Sequence, residues 1–336
     1  MLELNDEPTT LMFHAEMEPH NAPPASDEPA GPVEAYSTFL ASRPSTYETA
    51  AVEEILSLAH LCPNLALHIV HLSAMEVIPL LRKARAQGIN ITAETCFHYL
   101  SLAAEEIRDG DTRHKCCPPI RSQSNQDALW AELERHTEDG VIQTVVSDHS
   151  PCTPDLKLLP EHIPGNSPKA NGVNGHTNGE AKENGAPTEE NTGSFMSAWG
   201  GVSSVGLGLP ILWSELSRRK GLTSAPDDEN AKRALQDIVR LCCANTAAQV
   251  GLEKQKGELA VGFDADICVF DDSAEWTVEP STMLFRNKCS PYQGKQLRGM
   301  VRETWLRGER VFSRDEGFST RTPAGKLLLE KRAKRV

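Results

Sequence analysis

Three polar side chains of the metal-ligand type each follow an apolar segment of the sequence. His14 follows TTLMF, His71 follows LALHIV, and Asp148 follows VIQTVVS. Imidazole nitrogen and carboxylate oxygen are common ligands of zinc-like divalent metals. An aspartate beside an activated water can also act as a general base. The sequence therefore predicts a metal site made of His14, His71 and Asp148, with Asp148 also catalytic.

Each of these residues also has a purely structural explanation. A single histidine at a strand end is more often a hydrogen-bonded core or surface residue, and Asp148 could cap the next segment. His68 and His71 are three positions apart, so in a strand they would point to opposite faces. We expect His71, which is nearer the C-terminal end, to face the site. His98 is a weaker candidate for the same pocket.

Strand-like and helix-like patterns alternate through the first half of the chain. We predict strands at 9–16, 65–73, 89–99 and 141–147, with helices at 47–61, 74–87 and 125–136. Ser73 and Glu76 have the spacing of a capping box, and residues 18–45 are predicted to be a loop or an ordered excursion outside the core. The alternation predicts a parallel α/β sheet with four of the eight strands of a (β/α) barrel. Barrel active sites lie at the carboxyl ends of the strands, where the three polar residues fall.

The composition of the chain changes twice after this region. Residues of about 160–193 have low complexity and few large apolar side chains, which predicts a disordered surface insertion. Helices are predicted at 210–220, 228–243 and 245–252, and short strands at 265–270, 300–306 and 310–312. We therefore expect an α/β unit over 1–250, a small β-rich unit over 251–325 and a basic tail over 326–336.

Bulk properties exclude several classes of protein. The formal net charge of -13 argues against a nucleic-acid surface, and the apolar runs are too short to span a bilayer. The nine cysteines include no C-x-x-C and no recognised nucleophile motif. This usage predicts a reducing, cytoplasmic location rather than a disulfide framework or a thiol enzyme.

A series of short strings resembles one family. The strings FHAEM, HIVHLSA, AETCFHYL, KCCPPIR, VSDHSPC and FMSAWGG occur in this order. Together they resemble the second half of the allantoinases, which are zinc-dependent cyclic amidohydrolases. GLEKQKGELAVGFDADICVFD and NKCSPYQG resemble the C-terminal segment of the same family. The resemblance covers most of residues 8–325, apart from 18–32 and 155–192.

The resemblance implies a fold, a reaction and roles for individual residues. The fold would be the last four strands of a TIM-type barrel with a small C-terminal β-rich subdomain. The reaction would be the opening of allantoin by water to give allantoate, in purine catabolism. His14 and His71 would bind one of two zinc ions, and Asp148 would bind the other and shuttle the proton. Cys117, where relatives often have serine, and Ser150 lie in segments that resemble substrate-contacting loops.

The chain departs from the family pattern at its metal site. The family has a His-x-His pair and a carboxylated lysine upstream of the segment that matches FHAEM. No His-x-His occurs in the 336 residues, and the first lysine is Lys83, on a predicted helix. Three explanations stay open: a fragment of a longer enzyme, one half of a split enzyme, or a non-catalytic relative that assembles with a partner.

The sequence also leaves an alternative for the reaction. Dihydropyrimidinase- or dihydroorotase-type hydrolysis is the alternative within the enzyme class. We expect a small cyclic ureide as substrate and at most a partial zinc site. No nucleic-acid or membrane partner is expected, and homo-oligomerisation is left open. A half barrel would also leave two sheet edges without neighbours.

Overall fold

The computed structural model describes residues 1–7, 9–20, 28–135, 140–163, 191–319, 323 and 325–328. Most of the predicted insertion at about 160–193 and most of the basic tail lie outside these residues. The fold is α/β, as predicted, with one parallel and one antiparallel four-stranded sheet. The helices are α1 (Tyr36–Ser42), α2 (Ser45–Ala59), α3 (Val77–Ala86), α4 (Phe97–Ser101), α5 (Gln123–Leu133), α6 (Gly208–Lys220), α7 (Glu229–Val239) and α8 (Asn245–Gln249).

The parallel sheet contains four strands in sequence order. They are β1 (Thr10–Phe13), β2 (Ala66–Ile69), β3 (Ile91–Cys96) and β4 (Ile142–Val146). Each lies within a predicted strand, and the bounds of helices α2, α3 and α5 differ from the predicted ones by at most three residues. Because parallel strands need crossover connections, the helices between them are the expected partners of this sheet. Within the described residues, β1 and β4 each pair with one strand only.

Three local predictions were wrong. The 18–45 segment contains α1, whose Tyr36 and Phe39 are buried in the core. The Ser73 hydroxyl donates to the carbonyl oxygen of Pro119, so it does not cap α3. The third strand stops at Cys96, and His98 lies in α4 rather than in the strand.

The second sheet is antiparallel. Its strands are β5 (Ile267–Thr277), β6 (Gln296–Leu306), β7 (Glu309–Ser313) and β8 (Gly317–Phe318). The β6–β7 hairpin turns at Arg307 and Gly308, which both have positive φ, as tight hairpin turns require. Helix α6 packs on β6. The indole of Trp213, a buried residue of α6, donates to the carbonyl oxygen of Asp272 in β5.

Short α4 is fixed by three contacts at the carboxyl end of β3. The hydroxyl of Tyr99 donates to Pro118, and the indole of Trp130 donates to Leu100. Phe97 lies against Gly208, where an added Cβ would come within 2.2 Å of its ring. These contacts hold the β3–α4 junction in one position. Among the described residues, no helix combines the length and the apolar character needed to cross a membrane.

Candidate metal centre

His14 and His71 meet at the carboxyl ends of two neighbouring strands. His14 directly follows β1, and His71 lies two residues after β2. The Nδ1 atom of His14 and the Nε2 atom of His71 are 2.9 Å apart. Burial lowers the pKa of His71, which favours the neutral imidazole that a metal needs. The structure therefore brings together these two predicted ligands with ring nitrogens facing each other.

A buried carboxylate orients His14 from the other side. The Oε2 atom of Glu16 lies 3.3 Å from Nε2 of His14 and accepts from Arg43 Nη1 at 2.6 Å. Burial raises the pKa of Glu16, but His14 and Arg43 outweigh this effect and hold the pKa below its usual value. With Nε2 of His14 facing a carboxylate, Nδ1 is left to bind a metal. Glu16 stands two residues after His14 in the sequence, a signal that sequence reasoning missed.

The loop that carries His71 is held by a buried ion pair. Glu48 accepts from the backbone N–H groups of Ser73 and Ala74, at 2.9 and 3.0 Å. Its other oxygen accepts from Arg121 Nη2 at 2.7 Å. A charged group that is fully buried needs such partners, so removing one would leave an uncompensated charge. The pair therefore fixes the backbone just after His71.

Strained backbone marks the same edge of the sheet. His71 and Asp148 have φ of 40° and 44°, and Ala15, next to His14, has φ of 48°. This left-handed region is uncommon for residues other than glycine and costs of order 1–3 kcal/mol at each position. Asp148 lies two residues after β4 with its side chain exposed. Strained residues of this kind cluster at active sites and ligand-binding sites, so the strain at these three strand ends marks this edge of the sheet as a candidate site.

His98 and Cys96 lie between the histidine pair and Asp148. The ligand atoms of Cys96, His98 and Asp148 all lie within 4.8 Å of one another. His98 is 1% exposed, and neither ring nitrogen has a hydrogen-bond partner among the described residues. By contrast, both ring nitrogens of His68 have polar contacts, one with Thr92 at 2.8 Å and one with Glu94 at 3.1 Å.

The loops carrying Cys117 and Ser150 converge on the same glycine pair. Gly200 lies 3.6 Å from Sγ of Cys117, measured from the position of an added Cβ. Gly201, with φ of 149°, lies so close to Ser150 that an added Cβ would come within 2.6 Å of its atoms. Only glycine fits this close approach. The structure thus brings the two predicted substrate-contacting loops together, while their contact with substrate stays a prediction.

Two buried lysines, which sequence reasoning missed, fasten this glycine segment. Lys157, 1% exposed, donates to the carbonyl oxygens of Trp199 at 2.9 Å and Gly201 at 2.6 Å. Lys115 donates to those of Met196 and Ala198, and burial lowers its pKa to about 8. Lysines on helices and loops give no sequence pattern for such carbonyl contacts, so only the fold reveals them.

His149 holds the next part of the same segment. Its Nδ1 atom accepts from the backbone N–H groups of Ser204 and Val205, at 3.0 and 3.1 Å. The proton of the neutral ring is then on Nε2. Burial lowers the pKa of His149, which keeps the ring in this accepting form. The residue after Asp148 therefore anchors the loop at Ser204 and Val205.

A cavity of about 560 Å³ opens beside the histidine pair. Its wall includes Glu16, Arg43, Lys115, Cys117 and Gly200. The volume is in the range of small-molecule sites. The wall is polar, with Arg43 paired to Glu16 and Lys115 donating to backbone carbonyl oxygens.

The donor set fits a zinc-like ion. His14 Nδ1 and His71 Nε2 lie at hydrogen-bond distance, 2.9 Å. Two nitrogens that share one tetrahedral zinc at about 2.0–2.1 Å are roughly 3.3 Å apart, so a small separation of the rings would admit the ion. The remaining nitrogen of His71 is buried without a partner among the described residues, as are both nitrogens of His98. Nitrogen, sulfur and carboxylate donors together match the preferences of zinc rather than magnesium or calcium.

Solved structures with the same architecture are bacterial hydantoinases and dihydropyrimidinases. The dihydropyrimidinase from Brevibacillus agri superposes with a TM-score of 0.61 at 26% identity, covering 86% of this chain and 52% of that one. A D-hydantoinase from Thermus sp. gives a TM-score of 0.66 at 23% identity, covering 87% and 54%. Residues 217–312 also match the amidohydrolase family. The chain therefore has the architecture of part of these TIM-barrel enzymes, and one segment of it is similar to the amidohydrolase family.

Two sequence relatives of the chain are allantoinases. The chain is 42% identical to allantoinase of Saccharomyces cerevisiae over 334 residues, covering 98% of this chain and 60% of the yeast protein. It is 40% identical to allantoinase of Streptomyces avermitilis, covering 95% of this chain and 58% of that protein. The chain is thus similar to these allantoinases over almost its whole length, and it spans about 60% of theirs.

Proposed function

We propose that this chain supplies part of the active site of a zinc-dependent cyclic amidohydrolase that opens allantoin to allantoate. The observation that carries the proposal is that the ring nitrogens of His14 and His71 face each other, 2.9 Å apart, at the carboxyl edge of the parallel sheet. Sequence identity of 40–42% to two allantoinases supports this substrate over other cyclic amides. Bound zinc would supply Lewis acidity, which polarises a carbonyl and activates water.

In this proposal His14 and His71 hold one ion, and Asp148 binds a second and moves the proton. Water adds to the ring carbonyl carbon, the carbon–nitrogen bond breaks, and the leaving nitrogen takes a proton. The exposed carboxylate of Asp148 accepts the proton from water and returns it to that nitrogen. Glu16 keeps His14 oriented through its Nε2 atom.

The substrate is proposed to lie over the cavity beside the histidine pair. Cys117 and Ser150 would line it through the loops that meet at Gly200 and Gly201. Because the Cys117 thiol is partly buried, and burial raises its pKa, it would act as a neutral wall group rather than a nucleophile. We further propose that residues 1–250 form the barrel part and 251–325 a separate β-rich unit.

The test uses two samples, because the chain covers about 60% of its relatives. The first is the 336-residue chain with zinc. The second is the same chain co-expressed with the part of the S. cerevisiae allantoinase that this chain does not match. Allantoin, dihydrouracil and dihydroorotate are offered to both, and allantoate or the other ring-opened product is measured.

We expect ring opening of allantoin in preference to the other amides, in at least one sample. Asp148→Ala should lower the rate by about 10²–10⁴-fold, the usual contribution of a general acid–base group. Asp155→Ala, which removes a nearby exposed carboxylate, should leave the rate unchanged. Preference for dihydrouracil or dihydroorotate would overturn the substrate assignment. No turnover in a zinc-loaded, associated complex would overturn the proposal itself.

A further inference from the structure

Arg43 and Glu16 have unused hydrogen-bonding groups at the wall of the cavity beside the histidine pair. An arginine side chain has five N–H donors, and Nη1 of Arg43 donates to Oε2 of Glu16 at 2.6 Å. The Nε and Nη2 groups of Arg43 make no hydrogen bond with the described residues, and the side chain is 37% exposed. The wall therefore has free donors next to a carboxylate.

The second oxygen of that carboxylate is an unpaired acceptor. Oε2 of Glu16 already contacts Arg43 Nη1 at 2.6 Å and His14 Nε2 at 3.3 Å. Oε1 is buried without a partner among the described residues, although buried polar atoms nearly always have one. A ligand N–H group that enters the cavity would satisfy this oxygen.

Arg43 is held in place before any ligand binds. Its backbone N–H donates to the carbonyl oxygen of Leu40 at 3.2 Å, and its own carbonyl oxygen accepts from Arg121 Nη1 at 3.3 Å. The bond to Glu16 fixes the end of the side chain. A group that is already ordered loses less conformational freedom when it binds a ligand.

We propose that Arg43 and Glu16 form the subsite for the ureido group of allantoin, an inference that rests on the proposed function for the identity of the substrate. A ureido group ends in a carbonyl oxygen beside an NH2 group, so it presents an acceptor and a donor side by side. The carbonyl oxygen accepts from Nε or Nη2 of Arg43, and the NH2 group donates to Oε1 of Glu16. Hydrogen bonds with charged partners are roughly twice as strong as neutral ones.

The length of the substrate suits the positions of these groups. The ring carbonyl carbon that water attacks and the ureido oxygen of allantoin are four bonds apart, which spans at most about 5 Å. Glu16 Oε2 lies 3.3 Å from the ring of His14, and Arg43 Nη1 lies 2.6 Å from the same oxygen. A hydantoin ring bound beside His14 therefore has its ureido group within reach of Arg43.

This subsite would distinguish allantoin from other cyclic amides. Dihydrouracil and 5-methylhydantoin have a ring that water can open but no ureido group, so they leave the free groups of Arg43 and Glu16 without partners. A site built to hydrogen-bond one group of a substrate disfavours analogues that lack it. The comparison of allantoin with 5-methylhydantoin isolates the ureido group, because both have the hydantoin ring.

The first measurement follows occupancy of the cavity without turnover. Cys117 lines the cavity, and its alkylation by N-ethylmaleimide is followed by peptide mass spectrometry. The sample is the metal-depleted full chain, alone and co-expressed with the part of the S. cerevisiae allantoinase that it does not match. We expect allantoin to protect Cys117 at concentrations about 10–100-fold lower than 5-methylhydantoin. Cys243 and Cys268 are exposed and should react at unchanged rates with either compound.

Variants assign the effect to the arginine. Arg43→Lys keeps a positive charge beside Glu16 but lacks the planar set of guanidinium donors, so it should reduce the advantage of allantoin by about 10–100-fold. Ser42→Ala is the matched control: Ser42 lines the same cavity, but its hydroxyl donates to the carbonyl oxygen of Phe39 at 2.7 Å. It should keep the full advantage.

Three results would overturn the inference. They are equal protection of Cys117 by the two compounds, a full advantage of allantoin in Arg43→Lys, and loss of that advantage in Ser42→Ala. The comparison of the two compounds on the unmutated chain decides the matter if Arg43→Lys does not fold.

The ring-opening assay separates this inference from the proposed function. In an active sample, Arg43→Lys should lower kcat/KM for allantoin relative to 5-methylhydantoin by about 10–100-fold. Any effect of the variant on His14 acts on both substrates and cancels in this ratio. A chain that binds allantoin through its ureido group but opens no ring would contradict the proposed function alone. An enzyme that opens both rings equally well would contradict the subsite alone.

Discussion

Replacing Lys157 by methionine tests how firmly the glycine segment is held against the candidate site. Methionine keeps the apolar stem of the side chain but removes the ammonium group. Lys157 is 1% exposed and donates to the carbonyl oxygens of Gly201 and Trp199 at 2.6 and 2.9 Å. A third contact, to the carbonyl oxygen of Lys115 at 3.5 Å, is too long to contribute much.

The size of the effect follows from these two bonds. The bond to Gly201 is buried, so its loss leaves an unsatisfied carbonyl at about 1–3 kcal/mol. The bond to Trp199 is partly exposed, and water can replace it, so its loss costs about 1 kcal/mol. Burial also lowers the pKa of Lys157, which shows that the ammonium itself is unfavourably desolvated, and methionine avoids that penalty. The two losses sum to about 2–4 kcal/mol, and relief of the desolvation penalty lowers the expected net loss to about 1–3 kcal/mol.

Two measurements check this value. Urea unfolding gives the free energy of unfolding. Hydrogen exchange reports on three amides of the segment: Gly201, which donates to Lys115, and Ser204 and Val205, which donate to His149. Exchange at these amides should quicken in Lys157→Met. Lys232→Met, which breaks an exposed pair with Glu229, should cost less than about 0.5 kcal/mol. A loss below about 1 kcal/mol with unchanged exchange would refute the account of Lys157.

Three further predictions concern other parts of the site and its support. Glu16→Gln should lower zinc affinity by about 10–100-fold in calorimetric titration, whereas exposed Glu18→Gln should not; equal affinities would contradict the orienting role. Asp111→Asn breaks a buried bidentate pair with Arg113 and should cost about 3–5 kcal/mol at pH 7. Burial raises the pKa of Asp111, but Arg113 and His114 outweigh this and hold it well below its usual value. The stabilisation is therefore present above about pH 4 and lost as pH falls further, so wild type and variant should converge in acid unfolding; a constant difference would count against the pair. Gly201→Ala should destabilise by about 2–4 kcal/mol, because its Cβ would meet atoms 2.6 Å away at a positive φ; a stable variant would exclude the close approach.

The strands and the residues after them could be predicted from the sequence. Apolar runs ending in His14, His71 and Asp148 indicate strands because a buried parallel strand needs a short continuous apolar segment. Because the carboxyl ends of parallel strands lie at one edge of the sheet, the polar residues that follow these runs are expected at the same edge. The contact between His14 and His71 follows directly from the pairing of β1 with β2.

The contacts that depend on tertiary packing could not be predicted. Helix α1 lies in a stretch rich in proline and acids, yet Tyr36 and Phe39 bury their rings against Phe195, far along the chain. The sequence places His98 in a strand because the run 89–99 has many β-branched, aromatic and other apolar residues, and such short runs do not distinguish a strand from a buried helix. Phe97, directly after β3, packs against Gly208 from a distant segment of the chain. No local pattern in the sequence reveals this contact at the end of the strand.

Backbone strain links the fold to the chemistry. A strand that ends over a site must turn away abruptly, and glycine would allow a left-handed turn without strain. At the ends of β2 and β4 the chain instead has His71 and Asp148 in that conformation, and Ala15 adopts it beside His14. Each position costs of order 1–3 kcal/mol that glycine would avoid. Histidine and aspartate bring donor atoms that glycine lacks, so a ligand bond at the carboxyl edge is the compensation that fits both their conformation and their chemistry.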